Sequence, residues 1–413
     1  MKRAITLLLV LTMAIGLLAG CSNANSDGTT GTTGSTSPVY TEATGTGKDD
    51  VTHKGRYTVS DEDAIAGKDV VVASIGDMTI TNSQLQAFYW MTVYSFIQNN
   101  YYYLSYYNLD PSVSLSMQIY DEKTGSTWEQ YFLQEAIYGW RNYAALMLEA
   151  KKEDYKVPED FQSQLDGLEE ELKEAVKEGK FESVDEMLAS DLGAGSSFES
   201  YKYYMDVYYI SSVFFANKTG TFKVTDAEIE KYFTDNQESL KTNYKVTKDS
   251  GNVVDVRHVL ITPEGGTTDS SGKTTYTDAA WADCQKKAQE LLDQWKAGEA
   301  TEDSFAALAN DKSTDPGSNT NGGLYAGVTK GQMVAAFDSW IFDESRKYGD
   351  TDLVKTEFGY HIMYFVKSEP GWVFYSRDGV IGEKAKAYLE GVVESYETKV
   401  DYSKITIAEI KLA

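Results

Sequence analysis

The hydrophobic period of this chain changes once, and that change limits what it can fold into. From 69 to 245 apolar side chains recur three and four residues apart, as one face of a helix requires. After the turn composition Asp249-Ser250-Gly251-Asn252 they run almost unbroken through Val253-Val254-Asp255-Val256-Arg257-His258-Val259-Leu260-Ile261, as a covered strand requires. Helices must pack on helices in the first stretch and on a sheet in the second.

The first stretch opens with a strand from Val70 to Ile75 and a Gly76-Asp77 turn. Helix starts follow at Thr81-x-x-Gln84, Thr127-x-x-Gln130, Ser196-x-x-Glu199 and Thr225-x-x-Glu228, where two side chains three apart can satisfy free N-terminal amides; Pro158 opens another helix, closed by Gly179. Tyrosines crowd these helices, at 101–107 and at Tyr201, Tyr204 and Tyr208. Their spacing fits core packing; their chemistry also fits a surface that holds many unfolded sequences.

The second stretch continues with a polar loop from Thr262 to Thr277, helices around Trp281 to Trp295 and Phe305, and a loop rich in Gly, Asn and Ser. A short helix from Gln332 to Trp340 and a strand pair, Leu353 to Thr356 and His361 to Val366, complete a compact α+β unit. An amphipathic helix from Gly379 to Thr398 and an alternating run from Ile405 to Leu412 close the sequence. That run reads as a strand. Neither it nor the 70–75 strand has an obvious partner nearby, so the two are expected to pair.

Ahead of all this stands a leader. Lys2 and Arg3 precede an uncharged run from Ile5 to Ala19, too short to span a bilayer as a helix, which ends in Leu18-Ala19-Gly20-Cys21. This resembles the lipobox of bacterial lipoproteins and implies a signal peptide over 1–20 and a lipid on Cys21. Of the 29 residues from 22 to 50, 17 are Gly, Ser or Thr, so 21–68 reads as a flexible tether. The expected location is the extracytoplasmic face of a cell membrane, in a bacterium with a single membrane.

Acidic side chains outnumber basic ones 63 to 38, a formal charge of −25, which makes nucleic acid a poor partner. With three histidines, two cysteines, no paired-cysteine motif and no His-Glu-x-x-His, neither metal nor cofactor is expected. With Cys21 committed to lipid, Cys284 is the remaining thiol and reads as a small buried hydrophobe. His258 and His361 each lie inside an apolar strand, where a histidine taken singly is more often packed than functional.

Taken with its surroundings, the pair says more. Arg257-His258-Val259-Leu260-Ile261, Phe305-Ala306-Ala307-Leu308-Ala309, Asp315, Gly322-Gly323-Leu324, Lys330-Gly331-Gln332-Met333 with Phe337, and Thr356-Glu357-Phe358-Gly359-Tyr360-His361-Ile362 occur in the order found in the parvulin family of peptidyl-prolyl isomerases, which 252–368 resembles. Two departures stand out. Tyr325 occupies the place of an expected glycine, and Gly265 to Thr275 lengthens the first loop.

The resemblance implies a four-stranded sheet with surrounding helices, and a network of His258, Asp315, Thr356 and His361 beside a proline slot of Leu324, Met333, Phe337 and Phe358. The whole order resembles PrsA-type and SurA-like foldases. It implies a helical chaperone domain over 69–245, an isomerase domain over 246–370 inserted into it, and a C-terminal segment, 371–413, that packs back on the first. The implied activity is isomerisation of X-Pro bonds in unfolded or partly folded secreted proteins beside the membrane. Two alternatives remain open: a non-catalytic holdase that uses the parvulin fold to bind peptide, and a solute-binding lipoprotein, whose repeated strand–helix units are not found.

Overall fold

The computed structural model describes residues 56–412 apart from 180 and 269–273. The leader and Cys21 lie outside the described residues. Two compact units divide the rest: 56–222 with 384–412, and 223–383.

In the first unit the helices Asn82–Asn99, Trp128–Lys152 and Phe198–Gly220 share a core that includes Leu85, Trp90, Phe132, Trp140 and Tyr201. Burying each such side chain contributes roughly 1.5–3 kcal/mol. Reciprocal caps form at Thr81 with Gln84 and at Thr127 with Gln130. The third differs by one residue: Ser197 caps with Ser200, because Ser196 is buried and hydrogen-bonded to Gln86 and the Leu192 carbonyl. The tyrosines separate into two groups. Tyr201 and Tyr204 are buried, whereas Tyr101, Tyr102, Tyr103, Tyr106 and Tyr107 are exposed, Tyr102 at 89%.

The expected pairing of the two terminal runs is corrected. Val71–Ile75 pairs with Thr398–Val400 and Met78–Thr81, while the final strand is only Ile407–Ala408 and lies parallel to Thr58–Val59. Its alternation is cut short because Trp90 and Gln86 take up the backbone of Ala408 from the other side. The end of the expected tether is structured as well: Thr58–Val59 is held by the buried Glu129, and Ser60 caps a helix at Asp61–Gly67.

The second unit is wider than the expected 246–370. The helix Asp226–Tyr244 joins it through ring contacts of Phe233 with Trp372 and Tyr244 with Tyr375. Its sheet has four antiparallel strands in the order Thr351–Lys355, Tyr360–Pro370, Asn252–Ile261, Leu324–Val328. Strand alternation sorts the side chains into two faces. Val259, Ile362 and Tyr364 meet Ala288, Leu292, Phe305 and Ala309 of the helices Asp278–Ala297 and Glu302–Lys312 on one face. Val254, Val256, Met363 and Val354 meet Phe337, Trp340 and Ile341 of the short helix Ala335–Ile341 on the other.

Candidate active site

His258 stands opposite Met363, and His361 opposite Leu260, so the two histidines are diagonal neighbours on the face covered by the short helix. Their rings lie 5.1 Å apart, nearly parallel, with Nδ1 to Nδ1 at 3.0 Å. Both are buried.

Two turns complete the line. Between the outer and second strands, Thr356 donates its amide to the Gly359 carbonyl, and its hydroxyl lies 2.8 Å from His361 Nε2. A Cβ on Gly359 would come within 2.1 Å of the Ile261 carbonyl oxygen, so this turn admits only glycine. On the other side, Ser313 Oγ accepts the Leu260 amide and the Thr314 amide bonds to the Leu260 carbonyl, which fixes the segment carrying Asp315 beside the first strand. Asp315 Oδ2 is then 3.0 Å from His258 Nε2. Gly323, at φ +71°, lets its carbonyl accept the His258 amide; a Cβ there would sit 2.2 Å from the His258 oxygen.

The proton order follows from the donors available. Asp315 is held well below the ordinary carboxyl range: burial pushes it upward, but donors from His258, Ser318 and Tyr325 outweigh burial. As an ionised carboxylate it only accepts, so in a neutral His258 ring Nε2 carries the proton and Nδ1 accepts. His361 then donates from Nδ1, and its Nε2 accepts from the Thr356 hydroxyl, which in turn accepts the Phe358 amide. Burial, assisted by His258 and opposed by Asp315, lowers the pKa of His361 to about 3, so this ring stays neutral at ordinary pH.

All four polar residues expected from the sequence thus meet in one line. The apolar residues expected beside them divide. The Phe337 ring stands nearly perpendicular to both imidazoles with centroids at 5.3 Å, and Met333 packs in the same cluster. Phe358 is 53% exposed, and it is the backbone amide of this residue that enters the network. Leu324 is corrected: it pairs with Arg257, on the opposite face of the sheet, and the next residue, Tyr325, pairs with Val256 on the histidine face. Strand alternation allows only one of two adjacent residues to reach the site.

Two participants were not expected. Ser318, fully buried, donates to Asp315 Oδ2 at 2.6 Å and lies 3.1 Å from His258 Nε2. The Tyr325 ring stacks on His258 at 5.3 Å. Among the described residues, no group of three or more His, Cys, Asp or Glu is placed to hold a metal.

Residues 239–368 match the family model described as the PPIC-type PPIASE domain, and this part of the chain is a parvulin-type domain. Foldase protein PrsA of Exiguobacterium sibiricum is 32% identical over 146 residues, 35% of this chain and 35% of that protein; PrsA of Caldanaerobacter subterraneus subsp. tengcongensis is 30% identical over 182 residues, 44% and 43%. The chain thus carries a segment similar to the PPIC-type domain and is similar to PrsA foldases over that part, and its matches span less than half the length of these curated relatives. Among solved structures, PrsA from Bacillus subtilis aligns over 72% of this chain and 92% of its own at 20% identity and a TM-score of 0.30. The PPIase domain of TbPar42 aligns over 28% and 99% at 28% identity and a TM-score of 0.22.

Proposed function

We propose that this chain is a membrane-anchored foldase that isomerises X-Pro peptide bonds in secreted polypeptides at the His258–His361 site. The observation that carries this reading is the line of four hydrogen-bonded side chains, Thr356, His361, His258 and Asp315, beside an apolar cluster that contains Phe337 and Met333.

The reaction suits that chemistry. Peptide-bond rotation faces about 18–20 kcal/mol, and no bond is made or broken, so neither nucleophile nor metal is required. An apolar wall seats the proline ring, and taking the amide carbonyl out of water disfavours its charge-separated resonance form. The histidines orient and tune the network, and Met333, Phe337 and Tyr325 line the slot. Cys21 carries the lipid, and clients are unfolded or partly folded proteins emerging beside the membrane. No helix among the described residues is long and apolar enough to cross a membrane.

Exchange of a proline tetrapeptide measured with the full chain tests the reading. Replacing both His258 and His361 by Ala should lower turnover on the order of a hundredfold, the size of an effect worth about 2.7 kcal/mol in the barrier. Unchanged turnover would remove the site.

A second reading is favoured by one observation, the exposed tyrosines at 101–107. There the first unit holds clients and catalysis is secondary. Tyr102→Ser with Tyr106→Ser should then weaken suppression of client aggregation while X-Pro exchange stays unchanged.

A further inference from the structure

We propose that Tyr325 is a positioning residue that fixes the Asp315–His258 pair; the turnover part of this inference rests on the isomerase reading above. Tyr325 reaches across the site from the edge strand. Its ring covers the His258 imidazole at an interplanar angle of 23°, and its hydroxyl continues past that ring to donate to Asp315 Oδ2 at 2.9 Å. One side chain therefore touches both ends of the His258–Asp315 hydrogen bond.

That bond needs support. Asp315 is only half-buried and sits in a loop, and its Oδ2 accepts from His258, Ser318 and Tyr325 at once. Ser318 belongs to the same loop as Asp315, so besides His258 itself it is Tyr325 that ties the carboxylate to the sheet by a side chain. The loop is also shaped for this contact. Gly317 has room for the Tyr325 hydroxyl where a Cβ would lie 2.6 Å from it. A leucine or glycine at 325 could supply the wall of the slot or leave it open, but neither could hold the carboxylate. Burial and the adjacent Asp315 charge push the Tyr325 hydroxyl upward, so it remains a donor across the working pH range.

The experiment uses the full chain and three variants. Tyr325→Phe keeps the ring and removes the donor. Gly317→Ala keeps the donor and pushes it off Asp315. Tyr325→Leu removes both ring and donor. Two quantities are read: kcat against KM for a proline tetrapeptide, and solvent exchange of the His258 Nε2 proton by NMR. The expected result is a kcat about tenfold lower with KM within about twofold for Tyr325→Phe and for Gly317→Ala. In both, the Nε2 proton should exchange at least tenfold faster, and Tyr325→Leu should raise KM as well. A wild-type rate of Nε2 exchange in Tyr325→Phe, or in Gly317→Ala should the first fail to fold, overturns the proposal. If the wild type itself shows no turnover, the isomerase reading fails, and the exchange rates still decide whether Tyr325 positions the pair.

Discussion

Tyr201 and His258 are both buried rings with polar atoms, one in each unit, and the chain treats them oppositely. The Tyr201 hydroxyl, like those of Tyr89 and Tyr388, has no hydrogen-bond partner among the described residues; Tyr201 serves the helical core by volume. His258 has partners on both ring nitrogens, and every polar group it meets is itself partnered. An unpaired buried polar group costs about 1–3 kcal/mol, and a fully paired network fixes a unique geometry. The helical unit tolerates the cost where shape suffices. The sheet unit avoids it where orientation matters.

The sharpest way to break this contrast is at Gly323. Gly323→Ala must move backbone against the His258 carbonyl from a left-handed conformation, so a loss on the order of 3 kcal/mol in stability is expected, with loss of turnover. Chemical denaturation of the full chain reads the first effect. A wild-type denaturation midpoint would show that the loop does not define the site.

Acid should separate the units next. The folded-state pKa of His361, about 3, lies below the 6.5 of a free histidine, so between these values the unfolded chain binds the proton that the folded chain refuses. Stability therefore falls as pH drops from about 6.5 toward 3, by at most about 1.4 kcal/mol per pH unit from this ring. Asp315, also lowered when folded, adds to the loss once pH falls through the ordinary carboxyl range. His361→Gln should flatten the upper part of that slope. If melting temperature is as steep in pH for the variant as for the wild type, His361 is not the buried neutral ring described here.

The smallest effect should come from Tyr201→Phe. Removing an unpaired hydroxyl should leave melting unchanged or slightly raised. A loss above about 1 kcal/mol would mean that the helical unit also depends on its polar atoms.

Much of the site was legible because strand period and motif order point the same way. His258 and His361 lie in runs that read as strands and whose register puts them on one face, Thr356 stands just ahead of the second run, and Asp315 and Gly323 fall between the two runs in the motif order. Tyr325 was missed for a definite reason. Leu324–Val328 has only five residues and follows a glycine-rich loop, so its sequence gives neither strand character nor parity, and the family motif points to Leu324 where Tyr325 is the residue that faces inward. Ser318, a small residue in a polar loop, carries no periodic signal at all. The terminal pairings were misjudged because three-residue and two-residue strands are set by tertiary neighbours such as Trp90, Gln86 and Glu129, and a local hydrophobic pattern does not reveal them.

The central claim is the directed line of hydrogen bonds from Thr356 to Asp315, and nitrogen-15 NMR of the imidazoles tests it most directly. At pH 7 His258 should carry a proton on Nε2 and His361 on Nδ1, with one proton in the Nδ1–Nδ1 contact. The reverse tautomer on His361, or a His361 ring that titrates near the free-histidine value, would contradict it.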